Sequence, residues 1–128
     1  MKSIKLTLII IQIFITTSAW AEWVKVTSGG GGAISYYIDP SKITKHGNIR
    51  QTMELIDRTT PDSDGMLSLT GVLDYDCKEN KLRWRSETWY DGNMGTGKVL
   101  RTDTSIRIWR QEPKGNTGNT LLRYVCSH

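Results

Sequence analysis

The chain has 128 residues, a formal net charge of +4 and 38% hydrophobic residues. That length fits one domain. The positive balance is too weak to imply a nucleic-acid partner.

The chain opens with the basic pentapeptide Met1-Lys2-Ser3-Ile4-Lys5. Residues 6–15 are apolar except for Thr7 and Gln12, and Ala19-Trp20-Ala21 has the small-x-small pattern of a cleavage site. This is the pattern of a secretory signal peptide. The apolar run is only about half the ~20 residues of a membrane-crossing helix. No Cys lies near the cleavage site to carry a lipid. The expected division is a signal peptide at 1–21 and one exported domain at 22–128, with no membrane span after cleavage. Losing Lys2 and Lys5 leaves 15 basic residues against 13 acidic, a net charge of about +2.

Beyond the leader the pattern is one of short strands. Trp23-Val24-Lys25-Val26 starts the first, and the glycines of 28–32 end it. Ile34, Tyr36 and Ile38 alternate along a second, which stops at Asp39-Pro40-Ser41. His46-Gly47-Asn48 is a turn before a strand at 49–56, and 59–65 is an exposed loop. A long strand at 66–77, with a bulge expected at Gly71, turns at 78–81 and returns along 82–90. Gly92, Gly95 and Gly97 interrupt the chain before a strand at 98–102, and 105–111 alternates again. Only the end changes period. Leu121, Leu122, Val125 and Cys126 recur at helical spacing, with Asn116 or Thr117 as the cap. The fold class is α+β: a small antiparallel sheet with a single C-terminal helix.

Cys77 and Cys126 are the only cysteines. In an exported chain they are expected to form one disulfide. The loop closed would be about 50 residues, worth roughly 4 kcal/mol in a chain-entropy model. A reactive thiol pair and an intermolecular bridge are the alternatives, although C-x-x-C spacing is lacking.

Five segments together, in order and spacing, carry a family resemblance. They are Glu22-Trp23-Val24-Lys25-Val26, Tyr37-Ile38-Asp39-Pro40-Ser41, Tyr75-Asp76-Cys77-Lys78, Met94-Gly95-Thr96-Gly97-Lys98-Val99 and Leu121-Leu122-Arg123-Tyr124-Val125-Cys126. From about Trp23 to Cys126 the chain resembles the surface-adhesin protein E-like domains of Gram-negative bacteria. The resemblance implies the same sheet and helix. For the name-giving adhesin it implies attachment to host extracellular-matrix glycoproteins. This chain lacks that adhesin's lipobox cysteine, so a soluble periplasmic location stands beside surface display.

Enzyme chemistry is thin. Residues 92–98 spell G-x-x-x-x-G-K, but Val99 stands where a phosphate-binding loop needs Ser or Thr, and strands flank it. His46 and His128 lack ligand-spaced partners, and Asp62 and Asp64 lack the rest of a calcium loop. Asp74 and Asp76 share a strand face, as a solvated or hydrogen-bonded pair more readily than as an acid–base pair. No cofactor or metal is expected.

A basic-aromatic ribbon stands out. Strict alternation along 82–90 puts Arg83, Arg85, Glu87 and Trp89 on one face, and Leu82, Trp84, Ser86, Thr88 and Tyr90 on the core face. Arg83, Arg85 and Trp89 form the candidate binding surface, since Arg and Trp are enriched at binding hot spots. The plain alternative is the solvated side of a sheet. The expected function is an exported, non-enzymatic binding module for a protein or glycan ligand. A periplasmic accessory protein with a protein partner is the second reading.

Overall fold

β-Branched and aromatic residues at alternate positions make most of this chain extended. The computed structural model describes residues 2–3, 9–13 and 21–128. The signal peptide expected at 1–21 falls for the most part outside the described residues. The strands are β1 (Val24–Gly29), β2 (Ile34–Ile38), β3 (Thr44–His46), β4 (Ile49–Arg58), β5 (Ser68–Asp76), β6 (Lys81–Tyr90), β7 (Val99–Asp103) and β8 (Arg110–Gln111). Among the described residues one α-helix, α1 (Thr117–Cys126), follows the strands. All strands pair antiparallel in one sheet of order β1-β2-β4-β5-β6-β7. β3 continues the β2 side of β4, and β8 continues the β7 side of β6.

The turns follow from local chemistry. Gly30, Gly31 and Gly32 all have positive φ between β1 and β2, a backbone that favours glycine. Asp39 is fully buried between β2 and β3. Its Oδ1 accepts the Ser41 N–H at 3.0 Å, and its Oδ2 accepts the Glu22 N–H at 3.2 Å.

Helix α1 is capped by Asn116, whose Oδ1 accepts the Asn119 N–H at 2.7 Å. Leu121, Leu122 and Val125 form its inner face and pack with Ile38, Leu73, Tyr75 and Leu82 of the sheet. Each fully buried Leu or Val contributes about 1.5–3 kcal/mol. Arg123 points away and is exposed. Cys126 is bonded to Cys77, just past the end of β5, which pins the helix to the sheet's centre.

The other sheet face has a smaller core. Residues 92–97 fold over it, with Met94 N–H donating to Asp57 Oδ1 at 2.8 Å and Gly95 N–H donating to Ser68 Oγ at 2.9 Å. Beneath that loop Leu55 is fully buried.

Two expectations need correction. The alternating stretch 105–111 is a strand only at Arg110–Gln111. Asp103 Oδ1 captures the Ser105 N–H and ends β7, after which Arg107 N–H to Trp84 O, at 2.8 Å, ties the segment to the β6 edge. Ile106 and Ile108 therefore bury no face and stay exposed. The bulge expected at Gly71 lies across from it, in β6, between the partners of Val72 and Leu73.

Candidate functional site

The bulge decides where the basic-aromatic ribbon goes. Leu73 pairs with Trp84 and Val72 with Ser86, so Arg85 is the extra residue. An extra residue reverses the phase of alternation along the strand. Below the bulge, Leu82 and Trp84 face α1. Above it, Glu87 and Trp89 lie on that same sheet face, opposite Gly71 and Leu69. Ser86, Thr88 and Tyr90, expected on the core face, turn to the other side. Arg83, Arg85 and Trp89 thus do not share one face.

Arg83 and Arg85 converge instead on Asp74. Arg83 Nε and an Arg85 terminal nitrogen each lie 2.9 Å from Asp74 Oδ2. Gln51 Nε2 donates to Oδ1 at 3.2 Å. Burial works to raise the Asp74 carboxyl, but the Arg85, Arg83 and Gln51 hydrogen bonds outweigh it and hold it below the usual value. Asp76 does separate work, accepting the Lys78 and Glu79 N–H groups in the following turn.

The structure brings Arg83 and Trp89 together by another route. The chain at 106–110 passes the β6 edge and leaves a groove of about 620 Å³, lined by Arg83, Glu87, Trp89, Ile106, Arg107, Ile108 and Arg110 among others. Arg83 reaches it by lying over the Trp109 ring, 4.4 Å from the centroid. Arg101 lies over Trp89 at 5.0 Å. Ile108 is 81% exposed and Ile106 55%. Arg85 is not part of the groove wall.

The loop resembling a phosphate cradle is held by carboxylates. Asp57 takes the Met94 N–H, and Asp91 Oδ1 takes the Lys98 N–H at 2.7 Å. Those N–H groups are the ones a phosphate would need. Asp62 folds back on its own loop, accepting the Asp64 and Met66 N–H groups. Among the described residues no three His, Cys, Asp or Glu side chains gather as metal ligands.

Glu54 was not singled out by the sequence reading. It lies on β4, 3% exposed, on the sheet face under α1. Thr52 Oγ1 and Tyr75 Oη both donate to its Oε2 at 2.6 Å. Burial pushes its carboxyl up to about 7 against those two hydrogen bonds. Tyr75 is raised well above its usual value by burial, then by the charge and hydrogen bond of Glu54, and by the charge of Glu112. A cavity of about 160 Å³ opens above Glu54, between the sheet and the start of α1. Thr52, Glu54 and Ile56 alternate toward the core, so a Glu in that series was the available signal.

The Surface-adhesin protein E family profile matches residues 23–127. The chain belongs to that family. The surface-adhesin E match runs from just before β1 to the residue after α1. Solved relatives of the fold include Haemophilus influenzae protein E in crystal form II, with TM-score 0.64 and 13% identity over 91% of this chain and 96% of that one. The selenomethionine form of Haemophilus influenzae protein E gives TM-score 0.62 and 14% identity over 87% and 90%. No curated protein sequence matches. Membership in a surface-adhesin family places the chain among exported proteins. No helix among the described residues is long and apolar enough to cross a membrane.

Proposed function

We propose that this chain is a non-enzymatic attachment module whose contact surface is the groove along the outer edge of β6. Its family membership over residues 23–127 is the observation that carries the adhesive reading. The groove supplies the chemistry. Arg110 brings a cation, and Arg83 and Arg107 bring guanidiniums shared with Asp74 and Asp103. Ile106 and Ile108 bring exposed apolar area, and Trp89 is half-buried beside them. Arg offers planar, charge-assisted contacts to carboxylate or sulfate groups. An acidic or sulfated segment of a host matrix glycoprotein is the matching ligand. Trp89 and Arg83 line this groove, Arg83 while also paired with Asp74, and Arg85 does not line it.

The test is binding of the folded domain to immobilised matrix glycoproteins at low and high salt. Binding should weaken with salt, because the screening length falls to about 3 Å at 1 M. An Arg107→Glu/Ile108→Ser variant that keeps its fold should bind at least about tenfold more weakly, roughly the loss of one good contact. Unchanged binding would move the site to the loops at 28–32 or 91–97. No binding by the unaltered domain would favour a periplasmic partner protein instead.

A further inference from the structure

The cavity under the first turns of α1 holds a carboxylate with which no cation among the described residues forms an ion pair. Glu54 Oε2 takes two hydroxyl donors, and Oε1 accepts no hydrogen bond from the described residues. A buried, unpaired carboxylate costs several kcal/mol when charged. The fold uses one carboxylate oxygen, Oε2, to satisfy the buried Thr52 and Tyr75 hydroxyls, which leaves Oε1 over. The cavity walls are the aromatic rings of Tyr36 and Trp84 with apolar Ile56, Leu73 and Leu121. The charged groups bordering it are Arg110 and Glu112. From β6 and α1 come only Leu82, Trp84, Thr117, Gly118 and Leu121. Glu112 is close enough for its charge to raise Tyr75. Arg110 is exposed, and water screens its charge.

Size and donor pattern narrow the occupant. A cavity of about 150 Å³ holds one benzene ring, roughly six heavy atoms. A metal ion needs several oxygen ligands, and one carboxylate is too few. A guanidinium fork needs both carboxylate oxygens, and Oε2 already serves Thr52 and Tyr75. A compact ammonium needs only one, and aromatic faces favour it further.

We propose that this cavity binds an alkylammonium group, with its nitrogen on Glu54 and its alkyl stem between Tyr36, Trp84 and Leu121. The group is either a free small amine or the end of a lysine side chain. The proposal does not rest on the adhesive reading, although the cavity and the groove share Trp84 and Arg110 as walls. The ammonium competes with a proton for Glu54, whose carboxyl sits near 7. Affinity should therefore rise about tenfold between pH 6 and pH 8, following the ionised fraction.

The experiment follows the Glu54 side-chain carboxyl by carbon-13 NMR through a pH titration of the whole domain. Titrations are compared at matched ionic strength with n-butylammonium, n-butanol or salt alone. n-Butylammonium should lower the Glu54 midpoint, and n-butanol should not. A midpoint that n-butylammonium leaves unmoved, or that both compounds move equally, overturns the proposal. A third arm uses Nα-acetyl-lysine amide. A matching shift assigns the site to lysine side chains, and a shift with n-butylammonium alone assigns it to free amines. Calorimetry with Glu54→Gln should show binding lost. Retained binding by that variant also overturns the proposal, and the NMR arm stands whether or not the variant folds.

Discussion

Glu54 and Gly71 are direct cross-strand partners, and the indole of Trp84 occupies the space that a side chain at Gly71 would take. The glycine lets the indole lie flat across β5, where it becomes a wall of the cavity over Glu54.

Gly71→Ala should be destabilising. Its Cβ would meet the Trp84 ring and stand 2.6 Å from Ser86 O, which is backbone and cannot swing away. Overpacking of this kind costs about 1–3 kcal/mol. The urea midpoint should fall, and tryptophan emission should change as the indole is pushed off the strand. An unaltered midpoint would mean that β5 and β6 are further apart than described.

Stability should decline from mildly acidic to neutral pH through Glu54. Its carboxyl is raised from 4.5 to about 7 on folding, so the native state holds the proton more tightly than the unfolded chain. Between those values rising pH removes stability, by roughly 3 kcal/mol in all, and above them nothing further is lost. Asp74 acts in the opposite sense at lower pH. Its carboxyl is depressed below 3.8, so its contribution is lost as pH falls through that region. Glu54→Gln should flatten the decline between about pH 5 and 7. A decline equally steep in the variant would assign it to other groups.

The Cys77–Cys126 bond closes a sequence separation of 49 residues. Intact mass should rise by two hydrogens on reduction. Cys77→Ala/Cys126→Ala should cost about 2–5 kcal/mol, the range for a native disulfide in a small secreted domain. An unchanged mass would show free thiols and remove the staple.

Leu122 and Arg123 are neighbours in sequence with opposite surroundings, one buried in the core and one exposed. Leu122→Ala should cost about 2–5 kcal/mol. Arg123→Ala should stay within about 0.5 kcal/mol. Thermal melts of the two variants compare them directly, and equal losses would contradict the helix register.

Much of the fold was legible because its signals are local. Ile34, Tyr36 and Ile38 alternate, and Leu121, Leu122 and Val125 repeat at helical spacing, so β2 and α1 could be read from residues alone. β3 was missed because Thr44, Lys45 and His46 are polar and exposed, held only by pairing with β4. The surface was harder. One extra residue at Arg85 reversed every side chain after it, and nothing in Arg83-Trp84-Arg85-Ser86 marks a bulge. Glu54 escaped notice because a single carboxylate gains meaning only from what packs around it. Tyr75, Trp84 and Glu112 reach it from three distant stretches of chain.

Asp39 carries a consequence for biogenesis. The leader expected at 1–21 ends at the peptide bond before Glu22, whose N–H donates to the buried Asp39 carboxylate. Proteolysis at that bond converts a neutral amide donor into an ammonium, and a charge-assisted hydrogen bond is about twice as strong. The precursor offers Asp39 only the weaker partner. If cleavage falls there, the processed chain would gain a cation where the fold already holds an anion, and the new amino terminus would be latched onto the β2–β3 corner.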